Sequence, residues 1–173
     1  MKIETKRLVI DNLKASDKEN YFINISNDKE VLKTFMCSYE SDLDSFDFKR
    51  YVNREDVFAI RKKDTLDLIG IFVETKIGKE KDALEIGYGL GSRYWGNGYM
   101  PEAARALMKR GFEELGMRTI WCAYYEGNYK SKRVQEKLGF EYHHTEKDVP
   151  VPLLNEVRID NTNIMTKEHW ESR

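Results

Sequence analysis

The spacing of apolar positions divides this chain into a short series of elements. From Tyr99 or Met100 onward, Met100, Ala103, Ala104, Leu107, Met108, Gly111, Phe112 and Leu115 recur at three- and four-residue intervals. That spacing predicts a helix with one buried face. Pro101 suits its first turn, where a missing N–H is harmless. Glu102 sits at the positive end of the helix dipole, and Gly116 is placed to stop the helix. Residues 83–90 in front of it read as a strand. Residues 118–125 behind it, with Ile120, Trp121, Cys122, Ala123, Tyr124 and Tyr125, read as another. Two strands separated by a helix should be parallel, with a right-handed crossover. A further helix over 132–138 follows, with Asn128 as N-cap. Val134 and Leu138 share one face of it, and Gly139 and Phe140 form its stop.

The rest of the pattern is weaker. Residues 3–13 open with a strand whose core is Arg7-Leu8-Val9-Ile10. A helix starts at 15–17, with Ser16 or Asp17 as N-cap, and packs Tyr21, Phe22, Ile25 and Ser26. A short helix from Asp28 turns Val31, Leu32 and Phe35 inward. Residues 37–47 carry Glu40, Asp42, Asp44 and Asp47 around Tyr39, Leu43 and Phe46, and read as the solvated face of a helix running to about Asn53. Residues 56–61 and 67–76 read as an antiparallel pair, with 69–73 continuous enough for a central strand. A charged turn occupies 77–82. After Phe140 the chain is extended, interrupted by Pro150 and Pro152, and ends with a strand over 156–165.

The stretch of most chemical interest is Arg93-x-x-Gly96-x-Gly98, directly before a helix N-terminus. N–H groups of a first turn have no partner inside the helix. Glycines let the backbone turn them toward a ligand. Such a turn suits an anion, and a diphosphate is its natural guest. Two common diphosphate loops do not fit. A Walker loop needs Lys and Ser/Thr where Tyr99 and Met100 stand. A dinucleotide loop needs glycine or alanine at Pro101. Taken alone, such a turn is more often an ordinary glycine bend before a surface helix.

Composition narrows the partners. The chain has 173 residues, 29 basic and 30 acidic, for a net charge of −1. This favours one domain, 1–173, and gives no reason to expect nucleic acid. No stretch reads as a signal peptide or membrane span, so the expected site is the cytoplasm. Cys37 and Cys122 show no metal spacing and read as small core residues. No metal is expected.

The chain resembles the GNAT superfamily of acyl-CoA-dependent N-acetyltransferases, and within it the RimJ/RimL-type ribosomal-protein branch. The likeness rests on Arg93-Tyr94-Trp95-Gly96-Asn97-Gly98-Tyr99-Met100-Pro101-Glu102-Ala103, and on Asn128-x-x-Ser131 followed by Glu136-Lys137-Leu138-Gly139-Phe140. Glu4-Thr5-Lys6-Arg7-Leu8 and the C-terminal residues also resemble that branch. The two prolines near 150 depart from it. The resemblance implies a mixed α/β acyl-CoA N-acyltransferase fold, with a twisted sheet of about six or seven strands and helices on both faces.

It also implies roles. Acetyl-CoA is the co-substrate, its diphosphate held by the turn containing Arg93, Gly96, Asn97, Gly98 and Tyr99. Arg93 either adds charge or caps the turn. The pantetheine arm pairs with the strand at Tyr88, Gly89 and Leu90, where an N–H can face the thioester oxygen. Asn128 binds the arm, caps the helix, or does both. Ser131 is the candidate acid for the leaving thiolate, with Tyr129 a weaker one. Glu85 is the first candidate base, unless its side chain points away; His143 and His144 are weaker. Lys130, Lys132 and Arg133 either meet the ribose phosphate or form a solvated face. The acidic residues of 40–47 would rim the acceptor side if they are not simply solvated. The acceptor is a primary amine. The branch favours a protein N-terminal α-amine, with a polyamine, amino acid or aminoglycoside as the small-molecule alternative. A non-catalytic acyl-CoA-binding regulator is the non-enzyme alternative. Either a monomer or a homodimer fits.

Overall fold

A computed structural model of the chain describes residues 1–52, 54–78 and 82–173. Eight strands form one hydrogen-bonded series among these residues, in the order β1-β2-β3-β4-β5-β6-β8-β7. They are β1 (Lys2–Glu4), β2 (Leu8–Asn12), β3 (Val57–Lys62), β4 (Leu68–Ile77), β5 (Ala83–Leu90), β6 (Thr119–Tyr125), β7 (Glu141–Val151) and β8 (Glu156–Thr166). The helices are α1 (Lys18–Tyr21), α2 (Lys29–Leu32), α3 (Lys49–Val52), α4 (Tyr99–Glu113), α5 (Tyr129–Leu138) and α6 (Lys167–Glu171). By its contacts the chain forms two compact units. One comprises Met1–Val73 and Tyr88–Ala103; the other comprises Glu74–Gly87 and Ala104–Arg173.

In the first unit the expected strand over 3–13 is a hairpin. Thr5 N–H donates to the Leu8 carbonyl at 2.9 Å, and Leu8 N–H donates to Thr5 Oγ1 at 2.9 Å. This turn folds β1 back on β2, pairing Ile3 with Ile10. The extra strand raises the count above the expected six or seven. β2 runs antiparallel to β3, and β3 to β4. Tyr21, Ile25, Phe46, Phe48, Val57, Ala59 and Ile71 form the buried core of this unit. The ring of Tyr21 lies 5.1 Å from that of Phe48 and 4.9 Å from that of Tyr51.

Two expectations need correction here. Asp17 does stand at the N-cap position of the first helix, but its side chain makes no capping hydrogen bond there. A tight turn over Ala15–Asp17, with Lys14 at its own N-cap, precedes α1, which runs on into a wide turn over Phe22–Ser26. The Asp17 carboxylate reaches back to the Lys14 N–H at 2.7 Å. No helix covers 37–47 either. Phe46 and Phe48, two residues apart, are both buried, which a helix cannot arrange. Helical turns resume only at Lys49–Val52. The expected end at Asn53 lies outside the described residues, as do residues 79–81 of the expected charged turn.

In the second unit, β5 and β6 are parallel, as a helical crossover requires. Gly111 lets α4 lie close to them: a Cβ there would sit 3.1 Å from the Leu84 side chain and 3.2 Å from that of Ile120. Beneath the same helix, Arg110 Nη1 donates to Glu74 Oε2 at 2.8 Å. The interruption expected near Pro150 is instead part of β7, which pairs with β8 through Pro150↔Val157 and Val151↔Glu156. The irregularity appears as shifts of register between Tyr142 and His144 and between Glu146 and Val149. Proline is tolerated because β7 is the last strand of the series.

Candidate functional site

Every amide in a sharp turn needs an acceptor or must face solvent. In the first unit, the turn before α4 is held from outside itself. Ser92 N–H donates to Asp28 Oδ2 at 2.8 Å, and Trp95 Nε1 donates to the Leu90 carbonyl at 2.7 Å. Gly96 and Gly98 adopt φ of +80° and +76°. Among the described residues, no backbone carbonyl accepts from the N–H of Gly96, Asn97 or Gly98. Successive amides of this kind form an anion-binding concavity, and a 15-residue helix begins directly behind it.

The side chains of the turn divide the labour. Asn97 Nδ2 donates to the Tyr94 and Trp95 carbonyls, at 3.1 Å each. That side chain braces the turn, so Asn97 presents its backbone N–H. Arg93 is exposed, its guanidinium 4.9 Å from the Tyr94 ring centre. The sequence reading did not anticipate the part played by Thr5, Arg7 and Glu102. Glu102 Oε1 accepts from Thr5 Oγ1 at 2.6 Å and from Arg7 N–H at 2.9 Å, and Oε2 accepts from Arg7 Nε at 2.7 Å. Arg7 Nη1 donates to the Asn97 carbonyl at 2.9 Å. The only signal in the sequence was the family-like stretch Glu4-Thr5-Lys6-Arg7-Leu8.

Tyr88, Gly89 and Leu90 end β5. Tyr88 stacks on Phe72, with ring centres 6.2 Å apart. A Cβ on Gly70 would lie 2.6 Å from the Gly89 carbonyl oxygen, so that approach needs a glycine at 70. The β5–β6 ladder covers Ala83↔Thr119 to Ile86↔Cys122, while β5 itself continues to Leu90.

In the second unit, Asn128 caps α5. Its Oδ1 accepts from the Ser131 N–H at 3.3 Å, and Gly139 closes the helix at φ +84°. Ser131 Oγ accepts from Gln135 Nε2 at 3.2 Å. Gln135 is fully buried. Its Nε2 also donates to the Ala123 carbonyl at 3.2 Å, and its Oε1 accepts from Asn163 Nδ2 at 2.7 Å. Ser131 therefore meets Gln135 as an acceptor. Gln135 was missed because a glutamine in a charged helix looks solvated. Tyr129, Lys130, Lys132 and Arg133 are exposed.

Glu85 is exposed on β5, level with Trp121 on β6. Its charge also acts on Asp160. Burial pushes the Asp160 carboxyl above its ordinary range, and the charges of Glu146 and Glu85 push it further. His143 and His144 engage each other, Nδ1 to Nδ1 at 2.7 Å, and His143 meets the Trp121 ring edge-on at 4.7 Å. No helix among the described residues is long and apolar enough to cross a membrane.

Comparison with known proteins gives this geometry its context. Residues 7–141 match the family model described as acetyltransferase (GNAT) domain. The chain is 30% identical over 146 residues to the "Uncharacterized N-acetyltransferase YoaA" of Bacillus subtilis (strain 168), covering 80% of this chain and 82% of that protein. A crystal structure of an acetyltransferase (GNAT family) from Bacillus anthracis superposes with a TM-score of 0.85 at 27% identity, over 97% of this chain and 99% of that one. The fold is also that of the ribosomal-protein-S5-alanine acetyltransferase from Vibrio fischeri, with a TM-score of 0.77 at 19% identity over 98% of each chain. GNAT acetyltransferases draw their acetyl group from acetyl-CoA, and this chain, matched by their family model over most of its length, belongs to that family and is an acetyltransferase.

Proposed function

We propose that residues 1–173 act as one N-acetyltransferase domain of the RimJ/RimL type. In this reading it moves acetyl from acetyl-CoA to a primary amine by direct attack in a ternary complex, and the acceptor is a protein N-terminal α-amine. The observation that carries the cofactor half is the turn with amides of Gly96, Asn97 and Gly98 unclaimed by backbone carbonyls before a long helix. These amides and that of Tyr99 take the diphosphate, and Arg93 adds charge. The single-domain reading draws on the family match over 7–141, which includes residues of both units.

The chemistry follows from what each group can do. Tyr88, Gly89 and Leu90 offer backbone groups to the pantetheine arm, and an N–H there stabilises the developing oxyanion. Asn128 caps α5 with Oδ1 and offers its amide nitrogen to the arm. The Ser131 hydroxyl, oriented by Gln135, protonates the leaving thiolate. Glu85, exposed and acidic, takes the amine proton directly or through water. An α-amine titrates near ~8 and a lysine amine near ~10.4, so an α-amine needs less help to become a nucleophile. The likeness to the Vibrio fischeri enzyme supports the fold, and the Glu4–Leu8 stretch supports the branch.

The test is acetyl-CoA-dependent thiol release with peptides bearing free N-termini and with small amines. Turnover on peptides is expected. Turnover on small amines alone overturns the acceptor assignment. In the same assay Ser131→Ala should lower kcat by about tenfold or more while leaving CoA affinity near wild type. Unchanged kcat removes the acid role.

A further inference from the structure

We propose that Arg7 is a positioning residue for acetyl-CoA, aiming the diphosphate turn from 90 residues away in sequence. This rests on the reading of 96–99 as the diphosphate site. Glu102 stands in the first turn of α4. A carboxylate in the first turn of a helix competes with any anionic ligand for the same positive end. Here both of its oxygens are occupied: Oε1 by Thr5 Oγ1 and Arg7 N–H, and Oε2 by Arg7 Nε. Arg7 thereby pairs the carboxylate of that first turn, which would otherwise repel a diphosphate, and draws it aside toward the N-terminal hairpin.

The second contact sets direction. A peptide unit is planar and trans, so the carbonyl of one residue and the N–H of the next point opposite ways. Arg7 Nη1 holds the Asn97 carbonyl at 2.9 Å. Pinning that oxygen toward the guanidinium turns the Gly98 N–H away from it. The Asn97–Gly98 peptide leads into Gly98, whose φ is +76°, and at a glycine the backbone would otherwise rotate at little cost. The guanidinium is itself placed, 4.6 Å from the Tyr99 ring centre. The forked cation serves Glu102 with Nε and Asn97 with Nη1 at two fixed positions, which the single nitrogen of lysine does not reproduce.

The test compares CoA with pantetheine, which ends before the diphosphate, in titrations against wild type, Arg7→Lys, Arg7→Met and Gly98→Val. Arg7→Lys and Arg7→Met should each weaken CoA by about tenfold or more, equivalent to about 1.4 kcal/mol, and leave pantetheine unchanged. CoA affinity at the wild-type level in Arg7→Lys overturns the proposal, because charge without the fork then suffices. Equal losses for CoA and pantetheine overturn it too, because the effect is then general damage. Arg7→Lys carries the test if Arg7→Met does not fold. Gly98→Val separates the underlying reading. If it leaves CoA affinity intact, the turn does not hold the diphosphate. If it weakens CoA while Arg7→Lys does not, the turn stands and only the positioning role falls.

Discussion

Two arginines of the first unit tie distant segments together, and burial makes them different devices. Arg61 is 4% exposed. Its Nε donates to Asp11 Oδ1 at 2.7 Å and its Nη2 to Asp17 Oδ2 at 2.7 Å. Lys14 Nζ reaches the other Asp11 oxygen at 2.6 Å, so two cations meet two carboxylates. The Arg7 side chain is 42% exposed, and its partner Glu102 is 19% exposed. Chemically the pairs are alike. Solvent decides what each is for. A charge buried with its partners cannot be left alone without a large penalty, so Arg61 secures the fold. A charge at the surface adds little stability, and its value lies in what it aims.

Removing the buried cation is the severest test of that contrast. Arg61→Met should lose about 3–5 kcal/mol of stability in urea unfolding, because the buried Asp17 loses its cation and Asp11 is left with Lys14 alone. A loss below about 1 kcal/mol would put Arg61 in the same class as Arg7. Next in size, Arg7→Met should lose about 1 kcal/mol or less, as exposed pairs do. A loss matching that of Arg61→Met would make Arg7 a fold residue.

Acid separates the pairs more finely. Burial opposes ionisation of Glu102, but the hydrogen bonds from Thr5 and Arg7 outweigh it and hold the carboxyl below its ordinary range. A lowered carboxyl pKa contributes stability above the ordinary glutamate range and loses it as pH falls through the lowered value. The stability difference between wild type and Arg7→Met should therefore shrink as pH falls from neutral through the lowered value. A constant difference would mean that the contact acts through packing. The smallest effect concerns a carboxylate whose ionisation its surroundings oppose. Burial, then Glu146 and Glu85, raise Asp160. A raised carboxyl pKa withdraws stability as pH climbs through the ordinary aspartate range. Asp160→Asn should raise the unfolding midpoint slightly at neutral pH and not in acid, as thermal melts at the two pH values would show.

The contrast also explains what the sequence revealed. Periodic burial made α4 and α5 readable, and local capping marked Asn128 and Gly139. The glycine turn was readable because Gly96 and Gly98 must satisfy a local backbone rule. Arg61, Arg7 and Gln135 were not, since each takes its meaning from a partner on another element, and nothing nearby in sequence distinguishes them from solvated polar residues. Asp17 is a partial case: it stands at the cap position of α1, yet its carboxylate turns to Arg61. The acidic run near 42 hid a tight reversal that buries Phe46 and Phe48. In β7, Pro150 concealed a strand because proline tells against a central strand and says nothing against an outer one.

That outer strand has a consequence for behaviour at high concentration. The last strand of an open sheet offers its unpaired amides to any extended chain nearby, which is how sheets recruit partners into aggregates. Here Pro150 removes one donor, two register shifts break the spacing, and Asp148 turns the backbone at φ +57°. An incoming strand would find no continuous ladder to join. The same residues that obscured β7 in the sequence guard that edge against uncontrolled growth.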